Sequence, residues 1–135
     1  MKINLDVALG VFCDSERRIL MTQRGSLSPQ PGRWEFPGGK VEPEETAVDA
    51  LVREMHEELG VRVIDYRYLD HVVHSYPAHE VNLAVYHVTG YEGEPRCCET
   101  QSDLRWLNRD AFGYYHLLHA NYAVLRLLHR EGIIF

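Results

Sequence analysis

Three glutamates in the middle of the chain have the residue type and the spacing to bind a metal ion. Glu54, Glu57 and Glu58 are three residues and one residue apart, so on a helix their carboxylates converge on one patch. They repel one another there unless a cation joins them. Because the patch offers only oxygen ligands, it favours a hard ion such as Mg²⁺, or Mn²⁺, over Zn²⁺. The alternative is a solvated acidic face with surface pairs such as Arg53 with Glu57.

A helix over residues 47–59 must present these carboxylates. Thr46 and Asp49 form a capping-box pattern at its start, and Gly60 is a typical C-terminal stop. Glu58 falls at the border of the apolar sector that faces the core. A half-buried carboxylate without a partner costs several kcal/mol, so the pattern predicts a positive charge beside Glu58.

The glutamates belong to a longer pattern that begins at a glycine. It reads Gly39, five residues, Glu45, seven residues, Arg53-Glu54-Met55, one residue, Glu57-Glu58, one residue, Gly60-Val61. This pattern resembles the Nudix box at every fixed position, although Met55 stands where Leu, Ile or Val is more usual. The resemblance implies an α/β protein with the Nudix fold, an α/β/α sandwich around a mixed β-sheet.

The resemblance also implies metal ligands that spacing alone does not identify. Besides the three box glutamates, these are the carbonyl oxygen of Gly38 and the carboxylate of Glu99. Glu92 and Glu94, in the same turn region, are alternatives to Glu99. The glycines before the box are expected to provide positive φ and close backbone approach to a ligand.

Hydrolysis of a phosphoanhydride needs neutralised phosphates, a positioned water and a group that takes its proton. We expect Mg²⁺, or Mn²⁺, at the glutamates, with Arg53 orienting the carboxylates through a pair with Glu45 or Glu57. The general base is Glu54 or Glu99. The resemblance implies that a nucleoside triphosphate is cleaved to the monophosphate and pyrophosphate.

Residues outside the box resemble the MutT branch of the family, whose small sanitising enzymes hydrolyse 8-oxo-dGTP. The similar stretches are residues 34–42 (WEFPGGKVE) and Ala120-Asn121. The implied substrate-binding residues are Arg24, Phe36, Lys40, His79 and Asn121. Closely similar chains hydrolyse CTP, dCTP or 5-methyl-dCTP, so a CTP/dCTP pyrophosphohydrolase is the alternative.

Asn121 is the residue expected to recognise the base. Oxidation of guanine at C8 turns N7 from an acceptor into a donor beside the O6 acceptor, so one amide can accept from N7–H and donate to O6. Ordinary guanine would face the amide oxygen with a lone pair, and a buried mismatch of that kind discriminates strongly. Val124, Leu125 and Leu128 share its helix face, which turns the amide inward. Its alternative role is the N-cap of the last helix.

Alternating or apolar runs separated by turn residues predict the remaining elements. We expect a hairpin of strands 3–12 and 18–24, a loop over 25–33, a short strand at 34–36, β-rich segments at 61–65 and 66–76, strands 81–89 and 104–107, and a helix over 121–130.

Composition sets the outer limits of the function. The 135 residues suffice for one domain, so residues 1–135 are predicted to form a single Nudix hydrolase domain. A net charge of −6 argues against a nucleic-acid polymer as partner, and no apolar run reaches membrane-spanning length. Three cysteines without C-x-x-C spacing indicate free thiols and a cytoplasmic location.

The expected partner is therefore a small-molecule nucleoside triphosphate, bound by a monomer or a small homo-oligomer. A hypothesis of another class is a non-catalytic, nucleotide-sensing Nudix module. Such modules often lose box glutamates, whereas this chain retains all of them, so an enzyme is favoured.

Overall fold

The computed structural model describes residues 2–134, so residues 1 and 135, the ends of the predicted domain, lie outside it. The elements in chain order are β1 (Ile3–Phe12), β2 (Ile19–Gln23), β3 (Trp34–Glu35), β4 (Gly38–Lys40), α1 (Ala47–Leu59), β5 (Arg62–Ser75), β6 (His79–Glu92), β7 (Asp103–Leu107), a 3₁₀ helix (Arg109–Tyr114) and α2 (His119–Arg130). Within these residues, no helix is both long and apolar enough to span a membrane.

The strands form two sheets, and the larger one is mixed. Its order is β4-β1-β6-β5, with β1 parallel to β6 and antiparallel to β4. The smaller sheet has the order β3-β2-β7 and is antiparallel. Helix α1 packs with Ala8 and Phe12 of β1, while α2 packs in the cluster that contains Leu9 and Val11. The predicted α/β/α sandwich with a mixed sheet is confirmed.

Strand β1 differs from the half-buried strand that its alternation predicts. From Ala8 to Phe12 every residue is buried, because α1 covers one face of the strand and a cluster with residues of the second sheet and α2 covers the other. Strand β1, which pairs with β4 and its Gly38-Gly39 pair, therefore lies in the buried centre of the protein.

The predicted hairpin between residues 3–12 and 18–24 is divided between the two sheets. Within residues 2–134 its two arms are joined by an isolated bridge from Cys13 to Ile19 and by the N–H of Asp14, which donates to the carbonyl oxygen of Arg18, while β2 pairs with β3 and β7. The alternation of residues identifies a strand, but it does not say which partner supplies the hydrogen bonds. As a result β2 is the central strand of the second sheet, with β3 on one side and β7 on the other.

Helix α1 has the ends that the sequence predicts. The Thr46 side chain accepts from the N–H of Asp49, and the Asp49 carboxylate accepts from the N–H of Thr46, which completes the capping box. Gly60 ends the helix in the left-handed region with φ 71°. Buried Leu51 and Met55 anchor the inner face, so the glutamates emerge from a fixed backbone.

The predicted segments 61–65 and 66–76 form one bulged strand, β5, which pairs antiparallel with β6. Helix α2 begins two residues earlier than predicted, at His119, with Leu118 as its N-cap residue. The N-cap role considered for Asn121 is therefore wrong, because this residue lies inside the first turn. A parallel bridge from Trp34 to Leu117 holds that turn against the strand that precedes Gly38.

Candidate functional site

Three carboxylates from two elements meet beside β4. Glu54 and Glu58 come from α1 and Glu99 comes from the segment before β7, and each has an oxygen within 4.8 Å of the others. We call these three residues the carboxylate cluster. Helical spacing explains how Glu54 and Glu58 converge, since residues four apart share a face. Glu99 is 41 residues further along the chain, and only the resemblance identified it in the sequence.

Glu58 is the most strongly perturbed group of the cluster. Burial above all, together with the nearby Glu54 and Glu35 carboxylates, raises its pKa to about 9, and the bond from Gly38 opposes the rise. That bond runs from the Gly38 N–H to Oε2 over 3.0 Å. Among residues 2–134 no Lys or Arg forms an ion pair with Glu58, so the positive side chain predicted beside it is not supplied by the described part of the protein.

Arg53 organises the carboxylates on the other side of the helix. Its Nε and Nη2 donate to the two oxygens of Glu45 over 2.8 and 2.9 Å. Its Nη1 donates to Glu54 over 2.8 Å and to Glu57 over 3.2 Å. The structure thus contains both of the pairs that the sequence offered as alternatives, and hydrogen bonds from Arg53 lower the pKa of Glu45 to about 2. A planar guanidinium suits this task because its donors have fixed directions.

Glu57 stands at the rim of the site. Its side chain is 44% exposed, against 13% for Glu54, and its carboxylate faces Arg53. It is therefore outside the tight cluster in this arrangement.

Of the alternatives to Glu99, Glu92 forms an ion pair with Arg62 at the far end of the β5–β6 pair. Glu99 is the residue that the fold brings to Glu54 and Glu58.

Close approach, and not positive φ, explains the glycines before the box. Gly38 and Gly39 lie in strand β4, and neither has a positive φ. A Cβ on Gly39 would overlap the carboxyl group of Glu54, and a Cβ on Gly38 would overlap the carbonyl oxygen of Ala8. The expectation of positive φ is wrong here. The close contacts that the structure shows are with the protein's own groups, and close approach to a ligand stays a prediction.

Two adjoining cavities open beside the cluster. The first, of about 230 Å³, is polar and is lined by Glu58, Glu99 and Gln101 among others. The second, of about 640 Å³, is mainly apolar and is lined by Phe36, Asn121 and neighbouring residues. Residues common to both are Arg24, Glu35 and Gly38. A polar chamber at the carboxylates next to a larger apolar one suits a ligand with a charged part and a ring.

The ion pair between Arg24 and Glu35 lies where the two cavities meet. Nη1 of Arg24 donates to Glu35 over 2.8 Å, and its Nε donates to the carbonyl oxygen of Pro29 over 2.6 Å. Burial raises the pKa of Glu35, and the Arg24 charge opposes the rise. Sequence reasoning missed Glu35, because alternation with Trp34 and Phe36 makes it look like an ordinary solvent-facing strand residue.

Asn121 is buried at the floor of the apolar cavity, and its orientation is fixed. Its Oδ1 accepts from the backbone N–H of Phe36 over 2.9 Å. Because a backbone N–H can only donate, the oxygen must face Phe36, which leaves the amide NH₂ and the second lone pair of Oδ1 available to a ligand. The first turn of α2 thereby places a hydrogen-bond donor at the cavity floor.

The other predicted substrate residues line the same cavity in different ways. Phe36 is 1% exposed and belongs to the core as well as to the cavity wall. His79 lies at the start of β6, beside Tyr76, whose N–H donates to its carbonyl oxygen over 2.7 Å. The exposed residue Lys40 reaches the rim, and its carbonyl oxygen accepts from Arg53. Tyr76 was not among the residues predicted from the sequence.

Comparison with known proteins gives one consistent family. A family model of the NUDIX domain matches residues 4–128. An 8-oxo-dGTP diphosphatase from Proteus vulgaris is 41% identical over 93 residues, which are 69% of this chain and 83% of that protein. A CTP pyrophosphohydrolase from Escherichia coli strain K12 is 35% identical over 117 residues, which are 87% of this chain and 86% of that protein.

A solved structure shows the same architecture. The crystal structure of a MutT NUDIX hydrolase from Burkholderia pseudomallei superposes with a TM-score of 0.83 at 28% identity. The match covers 94% of this chain and 99% of that one. The similarity therefore includes both helices and both sheets that build the site.

The state of Glu58 predicts that binding of a divalent ion releases a proton. Because its pKa without metal is about 9, the carboxyl is protonated at pH 7.5 and must ionise to become a ligand. We expect release of about one proton per ion and an apparent affinity that rises as pH increases towards 9. Calorimetry of Mn²⁺ binding in buffers of different ionisation enthalpy measures this. If the wild-type protein binds Mn²⁺ without releasing a proton between about pH 6.5 and 8.5, the prediction is wrong.

Gly39→Ala should disturb the site while leaving the fold intact. The added methyl group meets the end of the flexible Glu54 side chain, which can move aside only by leaving the cluster. We expect Mn²⁺ affinity to fall about 10-fold with little change in the unfolding temperature. Gly113→Ala is the matched control, since its Cβ meets no atom within 4 Å. Equal Mn²⁺ affinity in the two variants, measured by electron paramagnetic resonance, would refute the assignment of Gly39 and Glu54 to the metal site.

Proposed function

The chain belongs to the NUDIX domain family and is a hydrolase of acid anhydrides, and on this premise we propose that it converts 8-oxo-dGTP to the monophosphate and pyrophosphate. The observation that carries the proposal is the carboxylate cluster, two of whose members line the polar cavity that adjoins the apolar one. The polar cavity holds the phosphates and the apolar cavity holds the base. On this proposal residues 1–135 act as one domain.

The donor set suits Mg²⁺. Three carboxylates within 4.8 Å of one another, one of them protonated by its surroundings, form a site that is unfavourable until a dication neutralises it. Hydrolases of the family need a divalent ion, and the all-oxygen ligands favour Mg²⁺, with Mn²⁺ as its substitute. Glu54, Glu58, Glu99 and the Gly38 carbonyl would hold it, with Glu57 joining from the rim. When bound, the ion neutralises phosphate charge and lowers the pKa of water.

The residues in and around the cluster position the ligands, accept a proton from water and contact the phosphates. Arg53 keeps Glu54 in place through the 2.8 Å bond while Glu45 fixes Arg53 itself. Glu54 or Glu99 takes the proton of the attacking water as a new O–P bond forms. The water attacks one phosphorus of the α,β bridge, the bond from that phosphorus to the bridging oxygen breaks, and the other fragment leaves with the electron pair, so that the monophosphate and pyrophosphate result. Arg24 lines both cavities, and in this scheme it lies beside the phosphate that is attached to the nucleoside.

Base recognition relies on the amide of Asn121. Its NH₂ donates to O6 of the oxidised base, and the second lone pair of Oδ1 accepts from N7–H beside the bond from Phe36. Phe36 and His79 form walls of the cavity, and Lys40 lies at its rim. Guanine without the oxidation lacks the N7–H and leaves two acceptors opposed, which a buried site rejects.

A pyrimidine nucleotide is the second candidate. The relative that covers 87% of this chain is named a CTP pyrophosphohydrolase. An amide NH₂ can also donate to O2 or N3 of cytosine, so the fixed orientation of Asn121 alone does not separate the two bases. A nucleotide-sensing module is disfavoured, because the cluster and its supporting Arg53 network are both intact.

Removal of one cluster carboxylate should abolish turnover. With Mg²⁺ the protein is expected to yield the monophosphate and pyrophosphate. Glu58→Gln should lower kcat by more than about 100-fold, because loss of a metal ligand costs more than loss of a residue that only supports a ligand. Glu16→Gln, a surface carboxylate paired with Arg18, is the matched control. Phosphorus NMR identifies the products. Release of inorganic phosphate and a diphosphate, or equal rates in the two variants, would refute the proposed reaction.

Asn121→Asp tests the base assignment without disturbing the bond to Phe36. The aspartate keeps an oxygen for the Phe36 N–H but replaces the NH₂ donor. We expect the ratio of kcat/KM for 8-oxo-dGTP over dGTP to fall at least about 10-fold. Asn108→Asp is the control, because Asn108 also accepts a backbone N–H, from Ala111, on the surface. A preference for CTP that survives Asn121→Asp would instead favour the pyrimidine candidate.

A further inference from the structure

The segment from Gly93 to Ser102, between β6 and β7, brings Glu99 to the carboxylate cluster; we call it the glutamate loop. It has no regular structure, so its position depends on individual bonds to its neighbours. Loops are ordinarily the mobile part of a fold. A loop that must hold a negative charge against two others therefore needs a restraint.

The end of helix α1 provides the first set of bonds. The N–H of Arg96 donates to the carbonyl oxygen of Leu59 over 3.1 Å, and the N–H of Cys98 donates to that of Glu58 over 2.9 Å. The last carbonyls of a helix have no partner within it, so they are available acceptors. The glutamate loop thus serves as a C-terminal cap for the helix that carries Glu54 and Glu58.

Gln101 makes the bond that reaches Glu99 itself. Its Nε2 donates to the carbonyl oxygen of Glu58 over 3.0 Å, and its Oε1 accepts from the N–H of Glu99 over 3.0 Å. A backbone N–H only donates and a carbonyl only accepts, so this orientation of the amide is the one that satisfies both. One side chain therefore links the backbones of two members of the cluster.

The opposite side of the loop is held by strand β2 and the turn after it. Ser102 donates from its N–H to the carbonyl oxygen of Gln23 over 3.0 Å. Gly25 lies so close to Thr100 that a Cβ would overlap the Thr100 carbonyl oxygen. These contacts fix residues 100 and 102, while the contacts to α1 fix residues 96 and 98. Glu99 lies between the two sets, where Gln101 bonds to its N–H.

We propose that Gln101 is a positioning residue that holds Glu99 in the carboxylate cluster before any ion binds. This inference rests on the proposed function, in which Glu99 is a metal ligand. Repulsion from the ionised Glu54 pushes the exposed Glu99 side chain towards solvent. The amide of Gln101 opposes that displacement at the backbone, so less order has to be created when the ion arrives. Gln101 itself touches neither the ion nor the reacting atoms in this scheme.

Gln101→Met tests the inference, because methionine has the same length and lacks both hydrogen-bonding groups. We expect the dissociation constant for Mn²⁺, measured by electron paramagnetic resonance, to rise about 10-fold. Ser102→Ala is the matched control. It removes a bond of 2.9 Å from the same loop, to Gln23, without touching Glu58 or Glu99. Equal Mn²⁺ affinity in Gln101→Met and Ser102→Ala would overturn the inference.

The Glu99→Gln background shows whether the effect passes through Glu99. There Gln101→Met should change Mn²⁺ affinity by less than about twofold, since the ligand to be positioned is already lost. The same 10-fold loss in both backgrounds, on the order expected for an indirect contact, would overturn the inference. If Glu99→Gln alone binds Mn²⁺ like wild type, the proposed ligand set fails. If Glu99→Gln weakens binding and Gln101→Met does not, only the role of Gln101 fails.

Amide hydrogen exchange provides a measurement that needs no variant. In the metal-free wild type, the N–H of Glu99 should exchange about fivefold more slowly than an unstructured amide, because it donates to Gln101. An unprotected Glu99 amide would show that the bond does not hold the loop in solution, and the inference would fall.

Discussion

The crowding of the carboxyl groups of Glu54, Glu58 and Glu99, which keeps Glu58 from ionising, is the constraint that the rest of the site satisfies. Three carboxylates that share a patch within 4.8 Å would separate if their backbones were free to move. The protein prevents this with contacts outside the cluster. Arg53 grips Glu54 from one side, the Gly38 N–H binds Glu58 from another, and the absence of a Cβ at Gly39 leaves room for the Glu54 carboxyl. The unfavourable state of Glu58 is thereby built into the fold before any ion is present.

Packing gives these contacts their rigidity. Helix α1 is anchored by buried Leu51 and Met55, and β1 is buried on both faces along its second half. Strand β4 pairs with that same part of β1, through Leu9 with Gly38 and Ala8 with Gly39. A shift of the glutamates relative to the glycines would need a movement of the helix across its core, which close packing resists. The geometry of the site is thus a consequence of how the two core layers meet at β1.

Local sequence signals predicted the parts of the protein that local interactions determine. The capping box of Thr46 and Asp49 and the stop at Gly60 involve residues within one turn of each other, and both occur as expected. Long-range partners could not be predicted in this way. Strand β2 joins a second sheet, and Asn121 bonds to the backbone of Phe36 from 85 residues away. Glu35 looks like a surface residue in the sequence, and its burial depends on both cavities being formed around it.

The two cavities take most of their linings from different parts of the chain. The cluster belongs to α1 and the glutamate loop, whereas the apolar cavity takes its floor from α2 and its far wall from the β5–β6 turn. Changes at the floor or the turn can alter the base that binds without moving a carboxylate. The Arg24–Glu35 pair is the part common to both cavities. In the proposed function, this pair and the backbone of Gly38 are the contacts shared by the base and the phosphates.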